Sequence, residues 1–186
     1  MGHVRQFMER HYRHFNARET REAAVAYDAH IQAGGKMLVA LAGAMSTGEL
    51  GVSLARMIRD EKVHAISCTG ANLEEDVFNL LAHGEYELIP DWRALSAESE
   101  SELYARGMSR VTDTCIPEDV MRHVEGCLAE GWSRACETGE RKLPSEFLFE
   151  TLAAGALEEH YQIDPEDSWV LAAMEVGIPV FAPGWE

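Results

Sequence analysis

From Glu19 to Ala33, Ala, Val, Tyr and Ile recur at the spacing of one helical face, and Gly34-Gly35 follows as a C-cap should. Residues 4–32 therefore read as helical. Met37-Leu-Val-Ala-Leu41 is a short apolar run between glycines, the signature of a buried parallel strand. After Ala42-Gly-Ala-Met-Ser-Thr-Gly48, the segment Glu49 to Lys62 puts Leu50, Leu54, Met57 and Ile58 on one face and predicts a helix. A second apolar run, Val63 to Cys68, predicts another strand, and Thr69-Gly-Ala-Asn72 turns into a helix from Leu73 to about Ala82. Strand, helix, strand and helix in that order make a βαβ unit, which crosses over right-handedly into a parallel sheet.

The pattern weakens over residues 84–116, which hold Pro90, the acidic stretch Glu98-Ser-Glu-Ser-Glu102 and one possible strand at Ser109 to Thr112. Glu98, Glu100 and Glu102, alternating with small residues, read as a solvated loop. Pro117 opens a helix to about Gly139 and Pro144-Ser145 another to about His160. A third begins at Asp164-Pro-Glu-Asp167 and closes at Gly177. Ile178-Pro-Val-Phe181 then reads as a strand in which Pro179 marks an edge position or a strand start. The expected architecture is α/β: a helical segment over 1–36, then the N-terminal part of one α/β domain over 37–186. That domain is expected to be incomplete, because the last strand has only just delivered its loop, and such loops hold ligands.

Composition narrows the picture. Asp and Glu number 32 against 16 Lys plus Arg, a net charge of −16, which disfavours nucleic acid and anionic membranes and attracts cations. No apolar run reaches membrane-spanning length and the N-terminus has no signal-peptide core, so a cytoplasmic protein is expected. Cys68, Cys115, Cys127 and Cys136 form no CxxC pair and read as free thiols. His11 and His14 lack a third ligand nearby, so no metal site is expected. Trp92, Trp132, Trp169 and Trp185 read as packing residues, with Trp185 a further candidate to line a site.

Two loops at strand ends carry candidate chemistry. Gly43-Ala-Met-Ser-Thr-Gly48 has small residues that let a ribose or phosphate approach the backbone, with amides at a helix start to meet it. It is not a nucleoside-triphosphate P-loop, because Glu49 and Leu50 stand where Lys and Ser or Thr are needed, and a carboxylate there repels phosphate. An ordinary strand-to-helix turn explains it equally well. In Thr69-Gly-Ala-Asn-Leu-Glu-Glu-Asp76, Asn72 suits an N-cap and Glu74, Glu75 and Asp76 suit a first turn. The same three carboxylates exceed what capping needs and suit an amine together with a ribose hydroxyl. Both accounts stand on the residues alone.

Together, Ala42-Gly-Ala-Met-Ser-Thr-Gly48 and Val63-His-Ala-Ile-Ser-Cys-Thr-Gly-Ala-Asn-Leu-Glu-Glu-Asp76 resemble the deoxyhypusine synthase family, in its bacterial, deoxyhypusine synthase-like branch. Glu102 to Val111, Cys115-Ile-Pro117, Asp167-Ser-Trp-Val170 and Gly177 to Pro183 are similar to later family segments in the same order. The resemblance runs from about residue 15 to the end of the chain.

It implies a Rossmann-like parallel sheet flanked by helices, in a homotetramer, and an NAD-dependent aminobutyl transferase. Such enzymes oxidise a polyamine donor such as spermidine and pass the aminobutyl group through an enzyme lysine to an acceptor. That acceptor is a protein lysine, or putrescine in the homospermidine-forming relatives. Carried over by position, the resemblance places NAD contacts on Ala42, Gly43, Ala44, Met45, Ser46, Thr69, Gly70, Ala71 and Glu75, and polyamine contacts on Glu74 and Glu75. The eukaryotic pattern has Ser and Asn at 42 and 43, so backbone contacts are the ones expected to persist there. The family's catalytic lysine follows a Trp-Gly pair in the C-terminal half. None of Lys36, Lys62 and Lys142 has those surroundings, so no catalytic residue is assigned and this chain alone is expected to be inactive. A partner, a second copy or a chain with the other half, is implied. A non-catalytic subunit with the same fold is the competing expectation.

Overall fold

A computed structural model describes residues 2–184. The chain divides into two units, Met1–Met37 and Leu38–Glu186. In the first, α1 (His3–His11) and α2 (Phe15–Gln32) replace the single expected helix; the break falls at residues 12–14, and Phe15 has φ 53°. His11 thus ends one helix and His14 caps the next, rather than the two sharing a face. Gly34, at φ 83°, closes α2, a left-handed position that glycine takes without steric cost.

The second unit is mixed α/β. β1 (Leu38–Leu41), α3 (Gly51–Arg59), β2 (Ala65–Cys68) and α4 (Gly70–Ala82) follow the expected strand-helix alternation. Parallel pairing runs from Leu38 opposite Ala65 to Leu41 opposite Cys68. The far side of β2 takes β6 (Val180–Phe181), also parallel, giving the order β1-β2-β6. Pro179 stands just before β6, where its missing N–H costs no ladder bond, and its carbonyl still accepts from Ile66 N at 3.0 Å.

The weakly patterned middle forms a sheet of its own. β3 (Glu87–Leu88), β4 (Met108–Val111) and β5 (Thr114–Pro117) pair antiparallel in the order β3-β5-β4. Thr112 and Asp113 make the β4–β5 turn with Thr112 at φ 56°, where a glycine or asparagine is the usual signal. Its absence is why only the strand near Ser109 was expected. Glu98, Glu100 and Glu102 lie on a helix, α5 (Ala97–Ala105), and not in a loop. Ser96 caps it by accepting Ser99 N, and Glu98 and Glu100 sit in its first turn, where acids suit the dipole. α6 (Glu118–Thr138) and α7 (Pro144–Ala153) follow, α7 stopping well short of His160. α8 (Trp169–Val176) then leads through Gly177 into β6.

The core gathers Leu54 and Ile58 of α3, Ile66 of β2, Leu73, Val77 and Leu80 of α4, Leu148 and Leu152 of α7, and Trp169 and Val170 of α8. Fully burying each such side chain contributes about 1.5–3 kcal/mol. α4 lies deepest and also buries Asn72, Glu75, Asp76 and Asn79. Buried polar groups are costly unless paired, so their partners decide what the loops at its head can do. No helix among the described residues is long and apolar enough to cross a membrane.

Candidate functional site

An open cleft of about 540 Å³ lies at the carboxyl ends of β1, β2 and β6. Ala42, Thr69 and Gly70 line it, with Pro183 and Gly184 on the facing wall. Ligands of open α/β sheets bind at this end, where helix N-termini present their amides. α4 starts at Gly70 and not at the expected Leu73: Thr69 is its N-cap, and Asn72 donates its N–H to the Thr69 hydroxyl at 3.3 Å. Glu74, Glu75 and Asp76 therefore fall beyond the first turn. Capping does not explain them.

Asn72 instead ties the 42–48 loop to α4. Its Oδ1 accepts from the amides of Met45 (3.0 Å) and Ser46 (3.2 Å). Its Nδ2 donates to Gly43 O (2.6 Å) and Thr69 Oγ1 (2.8 Å). The Thr69 hydroxyl donates to Gly43 O as well, at 3.0 Å. Gly43 itself has φ 68°, so the turn that aims its carbonyl at α4 favours glycine.

One residue further along the loop, Glu75 Oε2 accepts from Thr47 N (3.3 Å) and Thr47 Oγ1 (2.7 Å). Three consecutive loop amides, at Met45, Ser46 and Thr47, are thus satisfied by α4 side chains. They do not form the open nest of amides that a bound phosphate needs. Ser46 is 1% exposed; its hydroxyl donates to Asn72 O at 2.6 Å and accepts from Trp169 Nε1 at 3.0 Å. Its side chain faces the core. What the loop offers the cleft is the small surface at Ala42.

The acids are shifted together. Burial pushes the Glu74 carboxyl up, and the neighbouring Glu75 charge adds to it. Glu75 is only 6% exposed, and its burial raises it against the opposing pull of the Thr47 bonds. Asp76, buried, is pushed up to about 6 by desolvation, partly offset by bonds from Ser168 Oγ at 2.6 Å and Val170 N at 3.1 Å. A cation near Glu74 and Glu75 relieves both shifts at once, which an apolar or anionic ligand cannot do.

Of the sequence candidates, Ala42, Thr69 and Gly70 line the cleft. Gly43, Ser46 and Glu75 lie in the hydrogen-bonded layer behind it, together with the backbone of Met45. Glu74 and Ala71 are half-buried on α4, and Ala44 belongs to the loop. Trp185 lies outside the described residues. The tethering roles of Asn72, Thr47 and Trp169 are not legible in the sequence, because their partners sit 26, 28 and 123 residues away and no local pattern encodes such a bond. Lys142 sits between Glu140 (2.7 Å) and Glu150 (2.6 Å), whose hydrogen bonds raise its pKa and hold it protonated.

A family model described as deoxyhypusine synthase matches residues 6–186. A deoxyhypusine synthase-like protein of Chlorobaculum parvum is 28% identical over 150 residues, covering 80% of this chain and 39% of the relative. A probable deoxyhypusine synthase 2 of Methanosarcina mazei is 26% identical over 152 residues, covering 79% and 39%. The deoxyhypusine synthase-like protein of Chlorobaculum tepidum is again 28% identical over 150 residues. The chain spans 39% of the length of these curated relatives.

Proposed function

The chain belongs to the deoxyhypusine synthase family, and on that premise we propose that it carries the cofactor- and amine-recognising half of an NAD-dependent aminobutyl transferase acting on polyamines. The observation that supports this most directly is the pair Glu74 and Glu75: two adjacent carboxylates, both raised by burial, on the helix whose N-terminus borders the cleft. A protonated amine beside them is bound by charge, and a positive charge developing at the reacting carbon is stabilised by the same groups.

The residues present suit a dinucleotide. The parallel β1-β2-β6 sheet, a Rossmann-like arrangement in this proposal, opens its carboxyl end onto small residues at Ala42 and Gly70. NAD, when bound, supplies the hydride acceptor. Ala42, Thr69 and Gly70, which line the cleft, give it close backbone approach, while Glu75, which Thr47 holds through Oε2, stands in the layer behind them as the carboxylate proposed for a ribose hydroxyl. The remaining functional elements, a lysine nucleophile and the second cofactor wall, are assigned to a C-terminal half or a second chain in a cytoplasmic homo-oligomer. Lys142 does not supply the nucleophile, since an attacking amine must be neutral and this one is held protonated by two carboxylates. That observation also supports a second reading, a non-catalytic subunit of the same fold.

Calorimetric titration of the chain with spermidine and with NAD tests the proposal. Spermidine binding is expected to weaken at least ~10-fold in Glu74→Gln and Glu75→Gln, the loss of one charge-assisted contact, with no turnover by the chain alone. Equal affinity in wild type and both variants removes the acids from substrate recognition. Turnover of spermidine with NAD and no partner refutes the half-site assignment.

A further inference from the structure

The first turn of α8 is bonded to both components of the site. Trp169 is 1% exposed, and its indole N–H donates to Ser46 Oγ at 3.0 Å. Ser46 in turn donates to the Asn72 carbonyl at 2.6 Å. One residue earlier, Ser168 caps α8 by accepting Leu171 N (3.1 Å) and donates to Asp76 Oδ2 (2.6 Å), which also accepts Val170 N (3.1 Å). A single helical turn thus holds the 42–48 loop through Trp169 and α4 through Asp76. At its other end α8 runs by way of Gly177 into β6 and the Pro183–Gly184 wall of the cleft.

We infer that Trp169 is a positioning residue for the ligand loop: its N–H fixes the buried Ser46 hydroxyl, and so the register in which the Met45, Ser46 and Thr47 amides dock on Asn72 and Glu75. The link to a cofactor rests on the function proposed above; the link to the loop does not. A buried indole N–H left unpaired is costly wherever it sits, and here the partner that satisfies it is the loop itself. Ser46 carries the chain of bonds onward, donating to α4 while accepting from α8, an arrangement in which removal of either end loosens the middle.

The test reads the loop without ligand. Trp169→Phe keeps most of the ring volume and deletes the donor; Ser46→Ala deletes the acceptor. Hydrogen exchange of the Met45, Ser46 and Thr47 amides, normalised to the core amides of Leu54 and Val77, is expected to quicken ~3–10-fold in each, the worth of one net hydrogen bond. The double variant is expected to show no more than the larger single effect, because the two residues share one bond. Trp132→Phe, on an exposed indole, is expected to leave the loop unchanged. Loop exchange equal to wild type, or loop and core quickening together, overturns the inference. NAD titration separates it from the functional proposal. Quickened exchange in the variants together with a wild type that binds no NAD sinks the cofactor assignment and keeps the positioning role. NAD bound with unchanged exchange in both variants does the reverse.

Discussion

Asn72 accepts the amides of Met45 and Ser46 with one oxygen and gives its own hydrogens to Gly43 O and the Thr69 hydroxyl. Asn72→Ala strands the Met45 and Ser46 amides, since Gly43 O keeps the Thr69 hydroxyl, at about 1–3 kcal/mol for each unsatisfied buried group. Urea unfolding is expected to show a loss of roughly 2–4 kcal/mol, larger than for an exposed alanine substitution such as Val52→Ala. Asp76 makes a prediction in pH. Its folded pKa, about 6, lies above the 3.8 of an unperturbed carboxyl. The unfolded chain therefore releases this proton first. The stability the group contributes is complete below about pH 4 and is lost as pH rises through 6, roughly 3 kcal/mol over that interval. Asp76→Asn is expected to flatten the decline between pH 4 and 6 in a thermal-unfolding series, whereas a decline identical to wild type assigns it to other groups. The sequence pointed to these acids but not to their surroundings. Thr69 and Asn72 are both good caps, and only the fold reveals that Thr69 caps while Asn72 reaches across to another loop.

The elements were legible where their pattern is strong. β2 and the helices around it announce themselves as apolar runs and helical faces, because burial in a parallel layer demands them, whereas β1, read as buried from an equally apolar run, is an edge strand with Leu38 57% exposed. α5 was hidden because its acids and serines lack an apolar stripe. It persists through the Ser96 cap and the grip of Arg110 Nε on Glu100, 3.0 and 3.2 Å to the two oxygens. The β4–β5 hairpin was half-hidden because Thr112 turns without the expected glycine. Where α3 begins, a glycine is required by contact, not by dihedral: a Cβ on Gly51 falls 2.7 Å from Asp76 Oδ1 and 3.1 Å from the Asp167 carbonyl. The backbone carbonyl cannot swing away as a side chain can, so α3 must retreat. Gly51→Ala is expected to cost about 1–3 kcal/mol despite the better helix propensity of alanine. A melting temperature equal to or above wild type shows instead that α3 shifts freely.

At the scale of the whole molecule, charge is unevenly placed. Residues 1–37 hold six basic and four acidic side chains, which leaves 10 basic and 28 acidic ones for the unit that carries the cleft. On the function proposed above, two raised carboxylates inside a field of that sign are expected to draw a polycation from a distance and then bind it at short range. The two contributions differ in salt sensitivity: long-range attraction between exposed charges is screened as the Debye length falls from about 10 Å at 0.1 M to about 3 Å at 1 M, while half-buried contacts are screened much less. Spermidine affinity of the wild-type chain is accordingly expected to fall at least ~10-fold across that range, because a multiply charged ligand loses several screened interactions at once. The Glu74→Gln/Glu75→Gln double variant is expected to bind weakly at both concentrations yet keep most of the salt dependence, since it retains the rest of the acidic field. A double variant with wild-type affinity at 0.1 M places recognition in the diffuse field alone. A wild-type affinity indifferent to salt leaves the short-range pair on α4 as the source of binding, and the surplus of acids then serves the protein in some other way than gathering its ligand.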